Sequence, residues 1–208
     1  APTGEAARYN PLLAIPWGDG DVRQAQALAE IVCNPDGVDR PADFWEQSAQ
    51  AFLTGLLLHV RYTEKTPTLA HCAHLLADPS RPIADLLTAL LTAEHDPEYE
   101  LGWVDPATQE PTARHPVVGA AARKIQDMVD RTASGILATV QSHLEIFRDP
   151  RVAANTAASD FTANDFLRPE APLSLYLTIS PADLGRLRAL VRIVLHQLVA
   201  GWTDRLAL

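Results

Sequence analysis

Residues 173–179 (Leu-Ser-Leu-Tyr-Leu-Thr-Ile) form the one segment of this chain that has the pattern of a β-strand. A lone strand leaves its backbone amide and carbonyl groups without partners, and no second segment of similar quality is present to pair with it. We therefore expect the sheet partners to lie outside the chain. The pattern predicts that these residues come from a larger α/β protein.

The rest of the sequence favours helices. Hydrophobic residues make up 47% of the chain and aromatic residues only 6%, and strong helix formers outnumber β-branched residues. We predict a mainly α fold of about six helices, with one or few short strands. The predicted helices lie at about residues 22–32, 44–60, 69–76, 83–91, 117–147 and 181–206.

Capping residues mark the starts of three of these helices. Asp21 is predicted to cap the first helix, and Asp43 the second, where Glu46 completes a capping box. Ser180 is predicted to cap the last, with proline at its first helical position. In the long fifth helix, residues 132–135 are the expected bend, although the glycine there could instead permit close packing.

Acidic residues outnumber basic ones by 26 to 17, which gives a formal net charge of −9. Such a chain repels phosphate, so nucleic-acid binding requires a local basic patch. Acids gather before the second helix and in residues 94–116, here called the acidic loop, which also holds four prolines. The loop is either a solvated, variable excursion, which is the favoured interpretation, or a binding element. The candidate recognition residues are Asp36, Asp39, Glu94, Asp96, Glu98, Glu100, Asp105 and Glu110.

The sequence has no complete catalytic motif. It lacks the glycine-rich phosphate loops and the nucleophile elbow of known enzyme classes, so we predict no enzymatic activity, cofactor or metal for the chain itself. His71, Cys72 and His74 have ligand-like spacing, but surface histidines are the favoured interpretation because no second cluster accompanies them.

Several other residues are expected to be structural. His143 and His196 lie on apolar helical faces and are predicted to be core histidines. Cys33 and Cys72 are predicted to be reduced thiols. The longest strongly apolar run, residues 51–60, is too short to span a bilayer, which needs about 20 residues, so we expect no membrane contact by this chain.

Several segments together resemble TraG-like type IV secretion coupling proteins, and they occur in that family's order over most of the chain. They are residues 9–12 (Tyr-Asn-Pro-Leu), 44–50 (Phe-Trp-Glu-Gln-Ser-Ala-Gln), 52–56 (Phe-Leu-Thr-Gly-Leu), 134–140 (Ser-Gly-Ile-Leu-Ala-Thr-Val), 149–153 (Asp-Pro-Arg-Val-Ala), 159–161 (Ser-Asp-Phe), 175–177 (Leu-Tyr-Leu) and 181–184 (Pro-Ala-Asp-Leu).

The resemblance implies the parent protein's architecture. Members of the family are membrane-anchored, hexameric ATPases with a small all-α domain inserted in a RecA-like motor domain and facing the cytoplasm. By this resemblance, residues 20–148 are the all-α domain, whereas residues 1–19 and 149–208 are motor-domain flanks. The family's ATP-binding motifs would precede and follow this chain, so no ATPase activity is carried over to it.

The resemblance also implies three alternative functions. The all-α domain recognises secretion substrates, either relaxases or effector proteins, or their adaptors, and its acidic surface suits basic segments of such partners. Alternatively, it contacts DNA, or it has an architectural and regulatory role in the hexameric motor. The first is the favoured prediction. Basic residues in the last third are mixed with acids and predict a solvated face.

Overall fold

The computed structural model describes residues 6–38, 40–167, 170 and 172–206 and confirms the mainly helical fold. Within these ranges it has eight α-helices, which are α1 (Asp21–Cys33), α2 (Phe44–Thr63), α3 (Leu69–Ala77), α4 (Ile83–Thr92), α5 (Pro116–Gln126), α6 (Asp130–Leu144), α7 (Pro150–Asn155) and α8 (Arg188–Leu206). Short 3₁₀ helices span Pro11–Ala14, Glu145–Arg148 and Ala163–Leu167.

Helix α2 lies at the centre of the fold, with α1, α5 and α6 packed around it. Its central side chains, among them Phe52 and Leu56, are fully buried. The carboxylate of Asp43 accepts a hydrogen bond from the backbone amide of Glu46 at 2.9 Å, which confirms the predicted cap. Glu46 does not complete a capping box, because its carboxylate pairs with Arg40 at 2.9 Å.

Two glycines allow α2 to pack closely against its neighbours. A Cβ atom on Gly55 would lie 2.5 Å from the Cβ of Ala121 in α5. A Cβ on Gly135 in α6 would lie 2.9 Å from the ring of Trp45. Gly135 therefore serves close packing, and the bend predicted around it is wrong.

The predicted long helix over residues 117–147 is two helices. Helix α5 ends at Gln126, and Val129 has an extended backbone (φ −61°, ψ 136°) before α6 begins at Asp130. The apolar period continues from Ile125 to Ile136 across this break, so periodicity alone does not reveal it.

The first helix starts differently from the prediction. Gly20, with a left-handed backbone at φ 85°, occupies the cap position of α1, and Asp21 is its first residue. The side chain of Asp21 is buried. It makes long-range hydrogen bonds, described below, in addition to one with the adjacent amide of Val22.

The C-terminal part also departs from the prediction. Residues 173–179 form no strand, and the single β-bridge among the described residues joins Val104 to Pro111. Residues 181–187 form turns, so the last helix begins at Arg188 and Ser180 is not its cap. His196 is exposed, contrary to the expectation of a core histidine.

The predicted flanks share the hydrophobic core of the helices between them. Leu12 and Ile15 precede α1, and Ile193 lies in α8, yet all three are fully buried in the same cluster as α2. The predicted domain boundaries at residues 19–20 and 148–149 stay a prediction. None of the helices in the described part is long and apolar enough to cross a membrane.

Asn10 ties the start of the chain to two distant segments. Its side-chain amide donates to the carbonyl oxygens of Pro67 at 2.8 Å and Ala157 at 3.3 Å. Its side-chain oxygen accepts a hydrogen bond from the amide of Leu12 at 3.0 Å. Because Asn10 is buried, each of these groups depends on it for a partner.

Both cysteines are free, as predicted, and both are buried. Cys33 ends α1 and Cys72 lies within α3. Burial raises the pKa of both thiols, that of Cys33 to about 12. They are therefore protonated and shielded in the folded chain.

Candidate functional site

The acidic loop is closed at its base by backbone hydrogen bonds. The amides of His95 and Asp96 both donate to the carbonyl oxygen of Ala113, at 2.8 and 2.9 Å. Further along, the amide of Thr112 donates to the carbonyl of Trp103 at 2.9 Å. The loop is thus a hydrogen-bonded excursion with a fixed base, and not an irregular connection.

Carboxylates of the loop itself shape its interior. Asp96 is buried, and its two oxygens accept hydrogen bonds from the amides of Glu100 at 3.1 Å and Leu101 at 2.7 Å. Asp105 accepts hydrogen bonds from the amides of Ala107 and Thr108. These two acids organise turns, and the expectation of an exposed Asp96 is wrong.

The other candidate recognition residues divide into three groups. Four acidic loop residues have exposed side chains, which are Glu94, Glu98, Glu100 and Glu110. Asp36 is exposed but forms an ion pair with Arg188 of α8. Asp39 lies outside the described residues. The structure therefore places four of the eight candidates on the surface of one loop. Among the described contacts, none of these four forms an ion pair.

Tyr99 adds an aromatic ring to this acidic surface. It lies between Glu98 and Glu100, is 54% exposed and has a left-handed backbone at φ 57°. Non-glycine residues adopt this conformation at a cost of about 1–3 kcal/mol, and such outliers cluster at functional positions. Here the loop therefore presents an exposed ring with a glutamate on either side of it in the sequence, on a constrained backbone.

Beneath the loop lies a buried set of polar side chains, here called the histidine network: Asp21, His59, Tyr62, His95 and His115. His115 Nε2 lies 3.2 Å from Asp21 Oδ2, and the Tyr62 hydroxyl donates to the same oxygen at 2.5 Å. The backbone amide of Gly18 donates to the Tyr62 oxygen at 2.8 Å. These bonds join α1, α2 and the start of α5.

The remaining bonds of the network fix the protons on two histidines. His115 Nδ1 accepts from the amide of Val117, and His95 Nδ1 accepts from the amide of His115, both at 3.2 Å. Both Nδ1 atoms therefore lack hydrogen, so each neutral ring carries its proton on Nε2. His115 then donates to Asp21, and His95 donates to His59 Nδ1 at 3.2 Å.

Burial favours neutral histidines in this network. His59 and His95 are 9% and 4% exposed. Burial lowers the pKa of His59 to about 4, with further contributions from Arg81 and His71. Burial also lowers the pKa of His95 to about 3, with further contributions from the neighbouring histidines His59 and His115. Burial alone would raise the pKa of Asp21, but hydrogen bonds from His115 and Tyr62 lower it overall, so this residue stays ionised.

Aromatic rings cover the network. The Trp103 ring centroid lies 4.5 Å from that of His115 and 5.3 Å from that of Tyr62. Trp17 packs edge-on against Tyr62, and the guanidinium of Arg61 lies 4.7 Å from the centre of the Trp17 ring. The same Arg61 donates to the carbonyl of Ile15 at 2.9 Å.

The histidine network does not show as a motif in the sequence, because its members are far apart in the chain: Asp21 and His115 are separated by 94 positions. The available signal was the placement of His95 and His115, each near a proline, at the two ends of the acidic loop. His59, within the longest strongly apolar run of the sequence, residues 51–60, was a second signal.

The predicted surface histidines stay apart from this site. His74 is exposed, and His71 lies 3.5 Å from Glu64, whereas Cys72 between them points into the core. Across the described ranges, no three His, Cys, Asp or Glu side chains are grouped so that they could hold a metal ion. His143 is half-buried.

A groove runs between α4 and α5, with a volume of about 840 Å³. Two exposed arginines, Arg114 and Arg123, line it together with Thr88 and Thr92. Asp105 lines the same groove, so its charge is mixed.

Comparison with known proteins identifies the family. The family model described as "Type IV secretory system Conjugative DNA transfer" matches residues 1–206. Two conjugal transfer proteins TraG of Escherichia coli are each 34% identical to the chain, over 206 and 211 residues. These alignments cover 97% and 99% of this chain but 30% and 31% of the relatives, so the chain spans about a third of their length. No solved structure shows significant similarity. The chain belongs to the type IV secretory system conjugative DNA transfer family.

Proposed function

We propose that this chain is a cytoplasmic domain of a conjugative coupling protein that recognises secretion substrates, a relaxase or an effector protein, through basic segments. The role is binding and not catalysis. The observation that carries the proposal is the acidic loop, which holds four exposed glutamates, two of them flanking the exposed Tyr99, on a base fixed by hydrogen bonds. A preorganised anionic surface attracts cationic segments and loses little entropy on binding.

The test is a titration of the 208-residue chain with the relaxase of the same conjugative system. The triple variant Glu94→Gln, Glu98→Gln, Glu100→Gln removes three exposed carboxylates from the acidic loop and leaves side-chain size nearly unchanged. Each exposed ion pair is worth about 0.3–0.5 kcal/mol, so we expect about tenfold weaker binding at 50 mM salt. Fluorescence anisotropy measures the dissociation constant, and the difference should shrink at 500 mM salt.

The matched control removes the same charge elsewhere. Glu30→Gln, Asp85→Asn and Asp127→Asn alter exposed acids on α1, on α4 and at the end of α5. Equal weakening by both triple variants would show that net charge alone attracts the relaxase, which would contradict recognition by the loop. An unchanged dissociation constant for the loop variant would contradict it as well.

A second candidate function is contact with the transferred DNA, favoured by Arg114 and Arg123 in the α4–α5 groove. The net charge of −9 and Asp105 in the same groove oppose it. An anisotropy titration with labelled single-stranded and duplex DNA at low salt decides. DNA contact through this groove requires salt-sensitive binding that is lost in the variant Arg114→Gln, Arg123→Gln.

A further inference from the structure

Histidine side chains at the two ends of the acidic loop hydrogen-bond to helices α1 and α2. At the first end, His95 donates to His59 of α2. At the other end, the ring of His115 donates to Asp21 of α1, and its backbone amide donates to the ring of His95. His95 is therefore the one member of the network that bonds to both loop ends and to α2.

These bonds require a neutral His95. A second proton would place an N–H group on Nδ1, 3.2 Å from the amide nitrogen of His115, where the present bond needs an acceptor. Two N–H groups, that of His95 Nδ1 and that of the His115 backbone, would then face each other without an acceptor. Protonation of His95 at Nδ1 would therefore break the bond from the amide of His115 to its ring.

The described surroundings offer no carboxylate in direct contact with the ring of His95 to compensate a charge on it. His95 faces His59 and Tyr62 of α2 and His115 at the start of α5. The adjacent carboxylate of Asp96 is engaged with amides inside the loop, and that of Asp21 lies on the far side of His115.

His59 is in a similar position, because the charged groups acting on it are cationic. Arg81, before α4, and His71, on α3, both oppose its protonation. A proton on either His59 or His95 is therefore stabilised only when the loop opens to water.

We infer that the histidine network is a proton-sensitive anchor that positions the acidic loop, with His95 as its central positioning residue. Loss of the anchor releases residues 94–116 while the apolar core around α2 stays folded. The inference rests on the proposed function only for its effect on substrate binding. The anchoring itself is measurable without a partner.

The direction of the pH effect follows from the lowered pKa values. The pKa values of His59 and His95 are about 4 and about 3 in the closed loop and near 6.5 when hydrated. The open state therefore binds more protons below pH 6.5. Each pH unit below 6.5 raises the ratio of open to closed loop by up to about tenfold per histidine, until the closed-state pKa is reached.

Hydrogen–deuterium exchange of the full chain between pH 7 and pH 4.5, corrected for the intrinsic pH dependence of exchange, tests the inference. We expect exchange in residues 94–116 to rise steeply below pH 6.5, while exchange in α2 and α6 stays slow. His95→Phe should remove loop protection already at pH 7. Circular dichroism checks that each variant keeps its helices.

A conservative variant separates the proton effect from simple disruption. In His95→Asn the side-chain oxygen can still accept from the amide of His115, but the residue does not titrate. We expect the loop to stay protected at pH 7 and the pH slope to fall by about half. His74→Asn, on the exposed face of α3, should behave like the wild-type chain.

Two results would overturn the inference: exchange in the loop that rises only together with that of α2, or an identical pH slope in His95→Asn and the wild-type chain. Relaxase binding measured over the same pH range is independent of both. If the loop opens as expected but relaxase affinity does not fall with it, the proposed function fails and the anchor stands. If the loop does not open, the anchor fails and the relaxase titration at pH 7 still decides the function.

Discussion

Replacing Asn10 by aspartate should lower the free energy of unfolding by about 3 kcal/mol at pH 8, although the two side chains are nearly the same size. The amide group of Asn10 donates to the carbonyls of Pro67 and Ala157 in a buried setting. In Asn10→Asp a carboxylate oxygen would face these two acceptors, which leaves them unsatisfied and buries a charge. Urea unfolding followed by circular dichroism measures the loss.

The same variant should have a distinctive pH dependence. Burial against two carbonyl oxygens would raise the pKa of the introduced carboxyl above its unfolded value of about 3.9. As the pH rises, the introduced carboxyl group then loses its proton at a lower pH in the unfolded state than in the folded state. The loss in free energy of unfolding relative to the wild-type chain therefore grows as the pH rises above about 4. The difference in free energy of unfolding between the variant and the wild-type chain should therefore be smaller at pH 5 than at pH 8.

Asn34→Asp is the matched control. Asn34 also bridges a carbonyl and an amide, both of Val38, at 3.1 and 3.2 Å, but the site is exposed. We expect it to lose less than about 1 kcal/mol, because water replaces the lost donor. Equal losses for Asn10→Asp and Asn34→Asp would contradict the importance of the Asn10 contacts.

Gly55→Ala should lower the free energy of unfolding by about 2 kcal/mol, and the melting temperature by about 5 °C. The added Cβ would lie 2.5 Å from the Cβ of Ala121, so α2 and α5 must separate. Differential scanning calorimetry measures the change in melting temperature. In α5, Gly119 has no atom within 4 Å of a built Cβ, and Gly119→Ala should be neutral or slightly stabilising.

A double-mutant cycle distinguishes this clash from a general intolerance of substitution. Ala121→Gly removes the methyl group that Gly55→Ala would meet, at a cost of about 1 kcal/mol in helix propensity. The double variant should be more stable than the sum of the two single changes predicts, with a coupling energy of about 1–3 kcal/mol. Additive losses would show that Ala121 is not the obstacle.

Local signals in the sequence predicted α2, α3 and α4 well. Asp43 caps the start of α2, and the apolar residues that follow it recur at helical spacing on the buried face. For these helices, capping and burial are decided by neighbours within a few positions. The close packing at Gly135 was one of the two interpretations of that residue, but its partner, Trp45, lies far away in the sequence and was not predicted.

The errors arose where distant contacts decide the structure. The interruption between α5 and α6 falls within a continuous apolar period. The carboxylate of Asp21 is hydrogen-bonded to His115 and Tyr62, which lie far along the chain, instead of capping α1. Residues 173–179 keep the composition of a strand, but a strand also needs a hydrogen-bonding neighbour, and the described part of the chain supplies none there. The secondary-structure propensity of a segment indicates which local conformation it favours, but not which distant segment it contacts.

The reactivity of the two buried thiols can be used to follow unfolding of the chain. Alkylating reagents react with the thiolate, and burial keeps both Cys33 and Cys72 protonated and out of solvent. The modification rate therefore follows the opening of α1 and α3, whereas release of the acidic loop involves no cysteine of its own. Mass spectrometry of the labelled chain can thus time core opening for every variant above without an introduced probe.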